Sequence, residues 1–429
     1  MKIRHWNHHW PMFMMDKTKP LNKLANHGSW GNEFNRRIKL MSSFQVELNA
    51  SQMQARAKQI SGIDIDDHDI KEALERLLLA LNTEAQLNEE GANHIQTRIL
   101  NILCNRLRMQ RDFKAHPEID NQQIVSPYIL TGAGRSGSTK LHKVMAASGD
   151  FKYLRFWQQY NPALISGDRN EDTEERISTA HDFTQWFNQR VPNAKLIHSY
   201  ETFEPEEETF LFDHSRFLIN FNITHTSIPS YMEWVMSQDM AAQLNDLKQW
   251  LKYLQWQFFD GDSRPWVLKN PLYSGMEPLL AQIFPGAQMV ATHRDPAARV
   301  SSSAGLTVNF KKAYSDVDRT EEAGPGMLEF MAHMANQYVA GRDAFPDVKI
   351  LDVSYKELTK NSCAVIKDIF DFSERELTEN VLDAIGAWEE QNRQHKHGVY
   401  KYSLEQFGIT EEMIREKFNI YNERFKQYL

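Results

Sequence analysis

Residues 131–139 read Thr-Gly-Ala-Gly-Arg-Ser-Gly-Ser-Thr and follow directly on the β-rich run "IVSPYIL". A strand that breaks into glycines and then opens a helix presents several backbone N–H groups and a helix dipole to one anion. Gly134, Arg135, Ser136, Gly137, Ser138 and Thr139 are the candidate cradle, and a phosphate is the anion that this chemistry suits. The nucleotidase loop reads G-x-x-x-x-G-K-[ST], with a lysine on the outer phosphates and a hydroxyl on Mg²⁺. Gly132, Gly137 and Thr139 fit that spacing, but Ser138 stands in the lysine slot and the cation moves inside the loop, to Arg135. Such a loop suits one terminal phosphate that carries another group and is held without a metal. It argues against triphosphate hydrolysis.

A second stretch, "QMVATHRDPAARVSSSAGL", again runs from a strand through a turn into a helix. Arg294 falls at the strand's carboxyl end, and Ser302 lies eight residues on, about two turns into the helix that Pro296 opens. Ligands of open α/β sheets sit off the carboxyl ends of strands, so the two loops are expected to be neighbours. Two adjacent anion loops call for a ligand with two separated anionic groups. A nucleotide with both a 5′ and a 3′ phosphate meets that requirement better than ATP does.

The elements that must hold these loops follow from periodicity. Ile70, Leu74, Leu77, Leu78 and Leu81 form one apolar helical stripe, and "HIQTRILNILCNRLRMQ" repeats the habit. Beyond residue 120 strands and helices alternate. Strands are expected at 124–131, 265–268, 287–292 and 348–353, with helices at 138–147, 173–190, 240–259, 274–284 and 296–306. Alternation of this kind predicts an α/β fold, a P-loop-like parallel sheet flanked by helices. The expected layout is a loosely ordered arm at 1–45, an α-helical N-terminal extension at 46–120 and an α/β domain at 121–429. His5, His8 and His9 in the arm lack the carboxylate or cysteine partners of a metal site, so no metal is expected.

Bulk properties narrow the partners. The chain has 429 residues and a net charge of −8, so nucleic acid is not an expected partner and any polyanion must be met locally. No apolar run is long enough to span a membrane, and the start of the chain does not read as a signal peptide. Cys104 and Cys363 are the only cysteines, which fits a reducing cytoplasm. A homodimer is compatible with all of this.

With these motifs in place, the chain resembles the sulfotransferases that use 3′-phosphoadenylyl sulfate (PAPS), in particular a bacterial branch with a helical N-terminal extension. The likeness runs over roughly residues 60–425. It rests on "GAGRSGST" as the 5′-phosphosulfate loop, "THRDPAARVSSS" as the 3′-phosphate element, "WVLKNP", and the C-terminal "VYKYSLEQFGIT". The resemblance implies PAPS as donor and transfer of its sulfuryl group to a hydroxyl or amine of a small acceptor. It gives Lys269 and Arg135 as the catalytic cations, and Tyr355 and Lys401 (or Lys396) as further nucleotide contacts. Tyr355 follows a strand, where its ring either stacks on adenine or packs in the core. Gly398 keeps the family's C-terminal pattern, but Tyr400 stands where relatives often carry His.

The base is where the family pattern breaks. Relatives carry a Trp-Glu pair after the first helix, whereas "RFWQQYNP" places Trp157 beside Gln158. A glutamine takes no proton but can orient an acceptor, so Trp157 and Gln158 are read as acceptor contacts. The next candidates are His198 and Glu207 in "LIHSYETFEPEEETFLF". An imidazole titrates near neutrality and suits a general base. Pro205 followed by Glu206, Glu207 and Glu208 otherwise reads as the solvated first turn of a helix. Aromatic residues crowd 153–240, which favours an apolar or aromatic acceptor. Two other readings compete: a P-loop kinase or NTPase, and a nucleotide-binding protein that has lost catalysis.

Overall fold

The computed structural model describes residues 49–191, 193–218, 220–221, 225–392 and 402–429. The expected arm, with His5, His8 and His9, and the candidates Lys396, Gly398, Tyr400 and Lys401 lie outside them. Helices α1 (Ala50–Ser61), α2 (Lys71–Thr83) and α3 (Glu89–Ala115) form the N-terminal region. The apolar stripe predicted from Ile70 to Leu81 is buried throughout. Asn88 caps α3 by accepting from the Gly91 backbone N–H at 2.7 Å.

Four parallel strands follow: β1 (Tyr128–Thr131), β2 (Val267–Lys269), β3 (Gln288–His293) and β4 (Ile350–Ser354), in the order β2-β1-β3-β4. The register sets Leu130 beside Lys269 and Val290, Thr131 beside Ala291, and His293 beside Ser354. Those carboxyl ends therefore form one rim. Strand side chains alternate between faces, so the two faces fill different cores. Tyr128, Leu130, Val267 and Val290 pack with α4 (Ser138–Ala147) and the helix Ser362–Phe372. Ala291 packs with α5 (Pro296–Lys311), α6 (Thr320–Ala344) and the last helix, α7 (Asn419–Phe425). Ile129, Leu268 and Met289 join the core that also contains the N-terminal helices, so the extension and the sheet share one interior.

A buried polar chain ties α3 to the segments that carry the site. Arg98 donates to the Tyr160 carbonyl at 2.8 Å and the Phe210 carbonyl at 3.1 Å, and lies 3.3 Å from Asp213. Arg106 is held by Asp67 and donates to the His214 carbonyl at 2.6 Å. Burial pushes the Asp213 carboxyl up to about 6, with Arg98 pulling the other way. Removing the guanidinium takes the charged partner from that buried carboxyl, which keeps Asn220 at 3.4 Å, and one donor from each carbonyl. Arg98→Ala is therefore expected to lower unfolding stability by about 3–5 kcal/mol in urea titration, the scale for breaking a buried ion pair from one side.

Candidate active site

The phosphate-loop candidate is built as its sequence requires. β1 ends at Thr131, and Gly132 has φ +104; a Cβ there would lie 2.7 Å from the Thr292 carbonyl oxygen of β3. Gly137 has φ +97 and faces the Tyr355 ring, where a Cβ would lie 2.8 Å from Cδ2. Arg135, between them, holds φ +65 without being glycine, a local strain typical of ligand-binding loops. Ser136 and Thr292 share a hydroxyl hydrogen bond of 2.6 Å, which locks the loop to β3. No side chain caps α4, so its first-turn N–H groups face the loop uncapped. At Gly134 a Cβ would meet only Pro271 and Ser303, at 3.9 and 4.0 Å, so the loop's outer side is open.

The two predicted anion loops meet. The Arg135 Nε donates to Ser302 Oγ at 2.9 Å, and its Nη2 reaches the Ile197 carbonyl at 3.3 Å. Arg294 donates to the Arg135 carbonyl at 3.1 Å, and its guanidinium lies over the Tyr355 ring at 4.3 Å. Tyr355 thus packs between Gly137 and Arg294 and ties the ends of β1, β3 and β4 together. Burial, with Arg294 adding to it, presses against the Arg135 charge and lowers its pKa. A bound anion would relieve both influences.

Lys269 ends β2 at the same rim and is only 3% exposed, so it is not a surface lysine. Its ammonium pairs with the Glu207 carboxylate and donates to Thr139 Oγ1 at 3.3 Å. Burial pulls this ammonium down to about 8, Glu206 opposes that pull, and Arg135 reinforces it.

The acidic run departs from the expected solvated helix turn. Glu206 and Glu208 are buried, and the helix begins only at Thr209. Each carboxylate has a separate partner. Glu206 lies 3.4 Å from His198 Nε2. Glu207 accepts from Thr209 Oγ1 at 2.9 Å on one oxygen and holds Lys269 with the other. Glu208 accepts from the Lys269 backbone N–H at 2.8 Å and the Tyr273 hydroxyl at 3.1 Å. Burial pushes Glu208 up to about 8, while the Lys269 N–H and the Tyr273 hydroxyl pull it down, which marks it as a structural carboxyl. Gln159, which sequence reasoning passed over, donates to the Glu206 carbonyl at 2.6 Å and fixes this segment. Only the periodicity of a short helix could have flagged it.

Among the described residues, neither Trp157 nor Gln158 makes a hydrogen bond to Lys269. Trp157 is buried edge-on to Phe258 at 5.5 Å, with the Arg176 guanidinium 5.3 Å from its ring. Gln158 turns back on its own helix and accepts from the Arg155 backbone N–H at 2.9 Å. It lines a recess of about 300 Å³ with Phe258, Phe259 and Arg264, residues that lead into β2 at the end away from Lys269. The crowd of aromatics is likewise mostly core: Phe156, Tyr160, Phe183, Tyr200 and Phe210 stack on one another. Phe203, at 57% exposure, is the exception, on the loop that leads to Glu206 and Glu207.

Among the described residues no group of three His, Cys, Asp or Glu is placed to hold a metal ion, and no helix is long and apolar enough to cross a membrane. No protein of curated function matches the chain by sequence. Solved structures of similar fold include two mycobacterial sulfotransferases. A sulfotransferase from Mycobacterium avium gives a TM-score of 0.76 at 22% identity, covering 89% of this chain and 98% of its own. A sulfotransferase from Mycobacterium tuberculosis gives 0.70 at 24% identity, covering 86% and 98%. The sequence profile of the sulfotransferase family matches residues 127–379, from the strand before the phosphate loop to beyond Tyr355. That stretch is more than half of the chain and contains both predicted anion loops and Lys269: the protein belongs to the sulfotransferase family.

Proposed function

We propose that the protein transfers the sulfuryl group of PAPS to a hydroxyl or amine of a small acceptor with an apolar or aromatic body. The observation that carries the reading is the bond from Arg135 to Ser302, with Lys269 reaching Thr139 on the same rim. It supports a reading in which two anion-binding loops and a third, buried cation face one space, as a nucleotide with two separated phosphates requires. Gly134 to Thr139 and Arg135 would hold the 5′-phosphosulfate, and Arg294 and Ser302 the 3′-phosphate. When bound, the donor supplies an activated sulfuryl group with a bisphosphate as leaving group.

The chain's own residues then have distinct tasks. Lys269 and Arg135 stabilise negative charge on the leaving oxygen, as preorganised donors do in phosphoryl transfer. Glu207 keeps the Lys269 ammonium aimed at the loop. With His198 Nε2 turned toward Glu206, Nδ1 is the nitrogen left to take the acceptor's proton, a base oriented by a third group. Exposed Phe203 offers an aromatic face to the body of the acceptor.

Calorimetry tests the reading. Adenosine 3′,5′-bisphosphate is expected to bind far more tightly than AMP or ADP, without Mg²⁺. Preference for ATP-Mg²⁺ would instead favour a P-loop kinase, a reading that Ser138 in the lysine slot already opposes. Arg294→Ala is expected to weaken the bisphosphate by about 1.5–3 kcal/mol, the worth of a charge-assisted hydrogen bond. Adenosine 5′-phosphosulfate, without a 3′-phosphate, should lose little. Equal losses would make Arg294 a structural residue.

A further inference from the structure

We propose that His293, Asp352 and Tyr421 form a positioning chain through which the C-terminal helix α7 sets Arg294 for the 3′-phosphate. This rests on the sulfotransferase reading of the site above.

His293 is the last residue of β3 and the immediate neighbour of Arg294. Its ring is 1% exposed and bonded at both nitrogens: Nε2 to Asp352 Oδ1 at 2.8 Å, Nδ1 to the Tyr421 hydroxyl at 2.7 Å. A carboxylate only accepts, so Nε2 carries the proton and Nδ1 accepts from the Tyr421 O–H. The tautomer is fixed by that logic. The ring faces are held as well, stacked on Phe425 at 4.3 Å and Tyr428 at 5.5 Å. Asp352 is itself anchored, accepting from Arg342 at 2.6 Å. A side chain restrained in its plane and on both faces leaves the backbone that follows it little freedom.

The chain also touches the helix that carries Ser302. Arg299, one turn into α5, is 1% exposed and lies over the Tyr421 ring at 5.5 Å. Its Nε and Nη2 are buried without a hydrogen-bond partner, and among the described residues it makes no ion pair. Tyr421 therefore contacts both sides of the turn that holds Arg294, His293 before it and Arg299 after it. Sequence gives no hint of this, because 128 residues separate Tyr421 from His293. Orientation of a functional group by partners one layer out is a recurrent device, and its loss typically weakens binding without abolishing the fold.

Tyr421→Phe keeps the ring contacts and deletes only the hydroxyl. Calorimetry on the full chain is expected to show adenosine 3′,5′-bisphosphate affinity reduced about threefold to tenfold, the loss of one positioning bond. Adenosine 5′-phosphosulfate affinity should stay within about twofold on the same principle, because that ligand does not use Arg294. His293→Gln keeps a donor toward Asp352 but has no acceptor at the Nδ1 position for Tyr421, and should give the same selective loss. A lowered melting temperature with both affinities intact, or equal losses for both nucleotides, would overturn the proposal. Failure of the unaltered protein to bind the bisphosphate would overturn the reading of the site, and that control is measured first.

Discussion

Lys269→Ala is expected to lower turnover by about 10²–10³, the effect of removing one donor preorganised at a developing oxyanion. The expectation is large because of where the ammonium sits. It is buried at the carboxyl end of β2, beside Thr139 of the phosphate loop, and held by Glu207 on its other side. In so dry a place a unit charge interacts far more strongly than in water. Donor affinity should fall less than turnover, since the charge it offsets is largest in the transition state. Burial also sets the pH dependence. The ammonium is drawn down to about 8, so the active, protonated form is lost as pH rises through that value. The pH–rate profile should fall on its alkaline side near there, and Lys269→Arg should keep residual activity to higher pH because a guanidinium stays charged. Turnover of Lys269→Ala within a few-fold of the unaltered protein would move the role to Arg135.

Local signals made the scaffold of this site legible. Glycines at 132–137 pointed to a turn that presents backbone N–H groups, and Gly132 and Gly137 there hold positive φ with neighbours too close for a Cβ. Strand-then-turn patterns placed Lys269 and Arg294, because a parallel strand delivers its last residue to the rim whatever surrounds it. The spacing from Arg294 to Ser302 follows from helix geometry alone, and the structure brings Ser302 to Arg135. What sequence could not give was the direction of side chains whose partners are distant. Gln158 was read by its family slot, yet a short helix can spend such a residue on its own backbone. The glutamates at 206–208 were read by a local rule for helix starts. The chain instead runs them past β2, where each meets a partner 8 to 65 residues away. Burial of Glu206 and Glu208 on either side of a half-buried Glu207 is a tertiary property, with no periodic trace.

The remaining test concerns the proton. His198→Ala is expected to lower turnover by about 10² or more, the usual contribution of a general base, and to flatten the acid limb of the pH–rate profile. The geometry behind this is the pairing of His198 Nε2 with Glu206, which lies in the segment that also holds Lys269. Arg135, which reaches the neighbouring Ile197 carbonyl, ties the same backbone to the phosphate loop. Glu206→Gln then serves as the companion change. It leaves the imidazole in place but removes the carboxylate that orients it, so it should give a smaller loss than His198→Ala and not erase the acid limb. The competing assignment places the base at position 158. Gln158→Glu should restore a family carboxylate there, but its side chain caps Arg155 and lines a recess at the far end of β2. Turnover on alcohols is therefore expected to change less than about threefold, since a glutamate there keeps an acceptor for the Arg155 N–H and gains no contact with the acceptor. A gain in Gln158→Glu together with an unaltered pH profile in His198→Ala would place the base at 158 and leave His198 as packing against Tyr200 and Phe310.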